Sequence, residues 1–270
     1  MEQDQIKLEP LCNNIQVYVS KNHTFNSDTI LLSDFINPSP RHRVIELCCG
    51  CGAMSLMWFN EKAPKELYCV DIQKEACDLL EKSIEFNHLQ GQITVINEDL
   101  KKLKDILKFK KFNVVAVNPP YYPIKSGLNS EIYSNMVAKH QTECTLEDVI
   151  KASSQILRIS GKLCISYRQE GLCDLLCYMR KYGIEPKRVR FIHHRADKPP
   201  KTVMVEGRYK SQPGMLVMPP LIMEDSDGNM TDEIKRIYQP YFSSIYYKEQ
   251  DKDIESDLEN EENLEDKNET

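Results

Sequence analysis

Short apolar runs alternate with longer amphipathic ones through the middle of the chain. "RVIELCC" (43–49), "ELYCVDI" (66–72), "QITVINEDL" (92–100), "NVVAVN" (113–118) and "KLCISYR" (162–168) are short, rich in β-branched residues and bounded by turn formers, so they read as buried strands. Between them the pattern changes to a helical period. Residues 53–62 are helix-like, and 74–89 place Ala76, Leu79, Leu80, Ile84 and Phe86 on one face. A lysine-rich helical stretch precedes residue 113, and 144–160 and 171–183 read as helices closed by Gly161 and Gly183. Thr145, with Asp148 three residues on, is a capping pattern for the first of these two. "RVRFIHH" (188–194) and "TVMVEGRY" (202–209) read as two strands with no helix between them, only a connection through Pro199 and Pro200. Five strand–helix units followed by a hairpin predict an α/β fold. The sheet should be doubly wound, seven-stranded and mostly parallel, with an antiparallel strand at its edge.

Three segments follow from this. Residues 1–42 precede the first strand, with a short strand in "NNIQVYVS" and a capped helix or turn in "SDTILLSDFI" (27–36). Residues 43–248 form the main domain, ending in a basic hairpin. Residues 249–270 form a tail with eleven acids and two lysines, a charge of −9, and almost no apolar residues, so disorder is expected there. The chain as a whole carries −6, which leaves +3 on the other 248 residues. Within that part, 187–210 holds eight Lys or Arg against two acids. A groove following a phosphate backbone has this composition, and Lys187, Arg188, Arg190, Arg195, Lys198 and Lys201 are its candidate contacts. No apolar run is long enough to cross a bilayer, and the polar start "MEQDQIKLEP" is not a signal peptide. The ten cysteines have no framework spacing and read as reduced thiols of a cytoplasmic protein.

Candidate chemistry sits at the strand ends. The first strand runs into "CCGCG", where Gly50 and Gly52 let backbone approach a ligand closely. Asp71 ends the second strand, about 20 residues after the glycines, where a carboxylate can accept both hydroxyls of a ribose. Asp99 ends the third and can accept from an adenine amino group. A nucleoside cofactor lying across these ends would also meet Ile72 and Leu100, the residues after the two acids. Ser55 occupies the position where a dinucleotide fingerprint has its third glycine, and no phosphate-loop lysine motif is present. Glu46 supplies an acid near the first strand end, so S-adenosylmethionine is the expected cofactor. Residues 1–42 are expected to pack on its side of the sheet. Cys48 and Cys51 form a Cys-x-x-Cys at the same turn. That spacing suits a redox dithiol or, more simply, small residues packed beneath a cofactor. No metal is expected.

The fourth strand ends on "NPPYYP", where prolines stop the ladder. The side-chain oxygen of Asn118 and the carbonyl of Pro119 can both accept from one amino group. An adenine amine is a poor nucleophile because its lone pair is delocalised into the ring. Two acceptors draw that nitrogen toward tetrahedral geometry and free the lone pair. Tyr121 can stack on the base, and Tyr122 is a further nucleic-acid contact.

Glu46, Gly50, Gly52, Asp71, Asp99 and the Asn118-Pro-Pro-Tyr-Tyr corner resemble the ordered motifs of the Rossmann-like class I methyltransferases. The flanks "FNSDTILLSDFI", "AKHQTECTLED" (138–148) and 199–238 resemble the bacterial tRNA adenine-N6 methyltransferases, which modify the adenine beside the anticodon of a valine tRNA. The resemblance covers roughly 8–240 and implies that Asp28 and Thr29 lie near the methionine end of the cofactor. It implies tRNA as substrate; a monomer is the expected state, with neither membrane nor metal as partner. The chain departs from the family pattern at Cys48, where glycine is usual, and at Lys139-His140-Gln141, where Arg-His-Glu is usual. Two other readings share the corner: a protein glutamine methyltransferase, and an RNA-binding homologue without catalysis.

Overall fold

The computed structural model describes residues 6–59, 63–119 and 144–242. Tyr121, Tyr122, the Lys139-His140-Gln141 run and the acidic tail lie outside the described residues. An antiparallel pair, β1 (Lys7–Cys12) and β2 (Ile15–Val19), and helix α1 (Ser27–Ile36) come first. Then follow β3 (Arg43–Leu47), α2 (Ala53–Met57), β4 (Glu66–Asp71), α3 (Lys74–Phe86), β5 (Ile93–Asn97), the short α4 (Leu103–Ile106) and β6 (Phe112–Val117). After the corner come α5 (Leu146–Ile156), β7 (Leu157–Arg168), α6 (Leu172–Lys181), β8 (Ile184–Arg195) and β9 (Thr202–Tyr209). Two short strands, β10 (Leu216–Val217) and β11 (Leu221–Glu224), and a helical stretch α7 over 232–242 complete the order.

The sheet is α/β and doubly wound, as the alternation predicts. Its order is β5-β4-β3-β6-β7-β9-β8, with β3 to β7 mutually parallel and β9 antiparallel between β7 and β8. Two strands that the sequence pattern does not reveal extend it to nine. β10 and β11 both pair with β8 in parallel, and β10 is only two residues long, too short to carry a period. Alternate residues serve opposite faces. Val44, Val114 and Ala116 enter the core beneath β1–β2, α1, α2 and α7, while Ile45, Val115 and Val117 enter the core beneath α5 and α6.

Local chemistry explains two boundaries. Thr145 and Asp148 make both bonds of the capping box, Asp148 N to Thr145 Oγ1 at 3.1 Å and Thr145 N to Asp148 Oδ2 at 3.0 Å. The helix they start ends at Ile156, not at Gly161. Leu157 is already extended, and β7 carries an irregularity in register against β6 over this stretch. Gly161 serves that close passage: a Cβ there would stand 2.8 Å from the carbonyl oxygen of Phe112. α2 ends at Met57, short of the expected residue 62, and Trp58 after it is buried, its indole nitrogen 3.4 Å from the Ser33 carbonyl oxygen. β2, whose strand neighbour is β1 alone, has its other edge satisfied by α3: Tyr18 N–H meets Ser83 Oγ at 2.9 Å and Gln16 N–H meets Asn87 Oδ1 at 2.9 Å. Among the described residues no helix is long and apolar enough to cross a membrane.

Candidate active site

β3 and β6 are neighbours although three strands apart in sequence order, so the winding reverses between them. Ligands of open α/β sheets bind outside the carboxyl ends at such a point. A cavity of about 230 Å³ lies there, walled by Cys48 and Gly50 after β3, Asp71 and Ile72 at β4, Asp99 and Leu100 after β5, and Asn118 after β6. Seven of the residues singled out from the sequence therefore share one cavity. Asn22, His23, Thr24, Gln73, Glu98 and Cys144 complete much of its wall and carried no motif by which to find them.

Asp71 is buried and accepts from Gly50 N and Gln73 N, each at 2.9 Å. One carboxylate thus ties the glycine turn to the end of β4, and each oxygen retains a second lone pair. Asn97 fixes the same strand end, its amide nitrogen donating to the carbonyls of Asp71 and Ile72 at 3.0 Å each. Asp99 accepts from Lys101 N at 2.9 Å and pairs with Lys101 Nζ at 3.2 Å.

The turn itself is left-handed three times over, with φ of 55° at Cys48, 52° at Gly50 and 77° at Gly52. A Cβ on Gly52 would come 2.4 Å from Leu80 Cδ1, whereas one on Gly50 would meet no protein atom within 4 Å. Cys48 holds a conformation that favours glycine, which is the residue the family pattern usually has there. Burial pushes the Cys48 thiol up, with Asp71 adding to the effect, and burial pushes Cys51 up to about 12. Both remain thiols at neutral pH, against the thiolate that a redox dithiol requires. Glu46 is not part of the cavity wall. It is buried behind the turn, accepts from the Ser55 hydroxyl, and is pushed up to about 8 by burial.

Asn118 lies at the mouth of β6 and donates from Nδ2 to Thr29 Oγ1 at 3.2 Å. Thr29 stands at the start of α1, where Asn26 caps the helix by accepting from Thr29 N at 3.2 Å. Asp28 turns toward β9 and accepts from Thr202 Oγ1 at 3.2 Å. Neither Asp28 nor Thr29 lines the cavity with Asp71.

The structure divides the basic segment in two. Arg188 Nη2 is 2.8 Å from the buried carboxylate of Glu206, donates to the Phe35 carbonyl at 3.0 Å and stacks over the Phe35 ring. Arg190 pairs with Glu233 at 2.7 Å, and Lys187 Nζ donates to the Gln212 carbonyl at 2.9 Å. These three belong to the amino-terminal and middle part of β8. At its carboxyl end, on the side of Asn118, are Arg195 and the exposed Lys198 and Lys201 of the β8–β9 turn, with Arg168 paired in register to Thr202. Arg195 Nη2 donates to the Ser226 carbonyl at 2.9 Å. Among the described residues no group of three or more His, Cys, Asp or Glu side chains is placed to hold a metal.

Residues 11–175 match the family described as Methyltransferase small domain. The chain belongs to that family. Among its curated relatives is the tRNA1(Val) (adenine(37)-N6)-methyltransferase of Porphyromonas gingivalis, 21% identical over 229 residues, covering 82% of this chain and 89% of the relative. An enzyme of the same name from Glaesserella parasuis is 25% identical over 178 residues, covering 61% of this chain and 73% of its own. The fold is shared with a predicted O-methyltransferase of Agrobacterium tumefaciens, with a TM-score of 0.62 at 18% identity over 79% of this chain and 96% of that one. It is shared also with the M. jannaschii tRNA m1G37 methyltransferase, with a TM-score of 0.53 at 16% identity over 78% and 59%. The chain is a methyltransferase of the class I, Rossmann-like architecture, the class to which the expectation from motif order assigned it.

Proposed function

We propose that this enzyme methylates N6 of an adenine in tRNA with S-adenosylmethionine as donor, and that its target is the anticodon-loop adenine of a valine tRNA. The observation that carries the reading is Asn118, placed by β6 on the wall of a cavity that also holds Asp71. Among the described residues that wall it are Asp71, Glu98 and Asp99 but no Lys or Arg. Such a lining disfavours a polyphosphate and suits a nucleoside bearing a cationic sulfonium. The second lone pairs of Asp71 fit ribose hydroxyls, Ile72 and Leu100 offer apolar faces to a base, and the open side of Gly50 permits close approach of backbone. Bound there, S-adenosylmethionine supplies an electrophilic methyl group.

The chain's own residues would do the rest. Asp71 holds the ribose and the glycine turn together, and Asp99 accepts from the adenine of the cofactor. Asn118 Oδ1 and the Pro119 carbonyl accept the two hydrogens of the target amine, in a corner made rigid by prolines. Tyr121 stacks on the flipped base, and Tyr122 adds a contact. Arg195, Lys198 and Lys201, at the same edge of the sheet as Asn118, meet the RNA backbone. The names of the tRNA-modifying relatives support the substrate.

The test is incubation with labelled methyl donor and total tRNA, followed by nucleoside analysis. N6-methyladenosine should appear and should fall about 10²–10³-fold for Asn118→Ala, the effect of removing one preorganised polar group at a reacting centre. Label in protein glutamine, or in no nucleoside, overturns the reading.

A further inference from the structure

An asparagine has two ends of nearly the same shape and opposite polarity. The proposed chemistry needs the oxygen, not the NH2 group, to face the target amine. A series of three hydrogen bonds leads from Asn118 to a donor that cannot reverse.

That donor is the backbone N–H of Thr29, 3.2 Å from Asn26 Oδ1. A backbone N–H only donates, so the cap atom of Asn26 must be its oxygen. The Thr29 hydroxyl lies 3.3 Å from that same oxygen. An amide oxygen only accepts, so the single hydroxyl proton of Thr29 is directed to Asn26. Thr29 Oγ1 then has only lone pairs to offer at its contact with Asn118, 3.2 Å away. The Asn118 atom facing it is accordingly the NH2 group, and the oxygen is at the other end of the amide. Reversing Asn118 would draw the Thr29 proton away from Asn26 to the Asn118 oxygen, so the reversed amide costs the cap its hydroxyl bond.

We propose that Asn26 and Thr29 are positioning residues: the helix cap of α1 sets the polarity of the Asn118 amide. This rests on the reading of Asn118 as acceptor for the target amine. It gives Thr29 a different role from a contact with the methionine end of the cofactor. It also supplies a reason for the start of α1 to lie against β6 across 89 residues of sequence.

The experiment uses the full chain, labelled S-adenosylmethionine and total tRNA in single turnover. Thr29→Val keeps the shape and removes the hydroxyl. It should lower the transfer rate by about tenfold while leaving donor affinity, measured by calorimetry, and melting temperature near wild type. Thr29→Ser should restore most of the rate. The polarity argument has a sharper arm. In an Asn118→Asp background the two carboxylate oxygens are equivalent and there is no orientation to set. Adding Thr29→Val there should change the rate by less than about twofold. A Thr29→Val enzyme at wild-type rate overturns the proposal. So does one with weakened donor binding and an unchanged maximal rate, or an equal loss in both backgrounds. If Thr29→Val does not fold, Asn26→Gly replaces it. Glycine is tolerated at a helix start almost as well as asparagine, yet it removes the acceptor that directs the Thr29 proton. A wild-type rate in that variant overturns the proposal equally. Asn118→Ala separates the two levels. If it transfers methyl normally, the reading of the site fails. If it is impaired and Thr29→Val is not, only the inference fails.

Discussion

At the scale of residues, two side chains at the glycine turn carry costs that can be measured. Cys48 sits at φ 55°. Left-handed backbone costs an L-residue about 1–2 kcal/mol, and glycine loses about 0.5–1 kcal/mol through its freer unfolded state. The two nearly cancel, so Cys48→Gly should stay within about 1 kcal/mol of wild type in urea unfolding and keep its donor affinity. Cys48→Val, β-branched and therefore poorly tolerated at positive φ, should lose about 2 kcal/mol or more. Equal stability of the two variants would mean the turn relaxes freely.

Glu46 is the second case. Burial raises its carboxyl from 4.5 to about 8. A folded-state pKa above the unfolded one gives stability that is complete below pH 4.5 and lost as pH rises through 8. The slope in between approaches 1.4 kcal/mol per pH unit. Glu46→Gln keeps an acceptor for Ser55 and cannot ionise. Its stability should be flatter than that of wild type between about pH 5 and 8, and the gap should widen with pH. Parallel curves would show that another group governs the dependence. The place of Asp71 on the cavity wall was legible in sequence because an acid that ends a parallel strand stands at the carboxyl edge of the sheet. Glu46 was legible only as an acid, since nothing in "VIEL" says which face of β3 it takes.

At the scale of elements, strands and helices were readable wherever their period ran for a full turn or more. β3 to β9 stand close to their expected positions, and the Thr145 box starts α5 as its spacing implies. Gly161 misled because a glycine after a helical run has two meanings, a left-handed cap or a close passage of backbone, and only the neighbouring Phe112 carbonyl decides between them. The basic segment is hard to read for a similar reason. Its charges alternate along β8, and sequence cannot show that Arg188 is spent on Glu206 while Lys198 and Lys201 stay exposed in the turn. The consequence is testable. Arg188→Ala removes one cation from a carboxylate that also has Lys162 at 3.4 Å and Arg208 at 3.5 Å. It should cost about 3 kcal/mol of stability and leave the salt dependence of tRNA binding unchanged. Lys198→Ala with Lys201→Ala should do the reverse: little loss of stability, weaker binding, and a slope reduced by about 0.7–0.9 log units for each phosphate left without its lysine. If Arg188→Ala changes the slope and the turn variant does not, the RNA follows the other end of the sheet.

At the scale of the whole molecule, charge is divided rather than balanced. The last 22 residues hold −9 and the remainder +3, so the chain's −6 describes neither part. A tRNA approaching the rim of Arg168, Arg195, Lys198 and Lys201 meets an attractive body and a repulsive tail tethered to it. Deleting 249–270 reverses the sign of the molecule's net charge and removes none of the described residues of the cavity or the strand ends. The association rate with tRNA, by stopped-flow fluorescence, should rise about tenfold at low ionic strength, where the Debye length is about 30 Å. It should converge with that of the full chain near 1 M salt, where the length is about 3 Å. Turnover at saturating tRNA should not change, because the tail then acts only on encounter. A slower association after deletion would mean the acids assist capture, and a lost turnover would make the tail part of the site. The same rate at every salt concentration would mean that RNA is steered by the local rim alone and does not sense net charge.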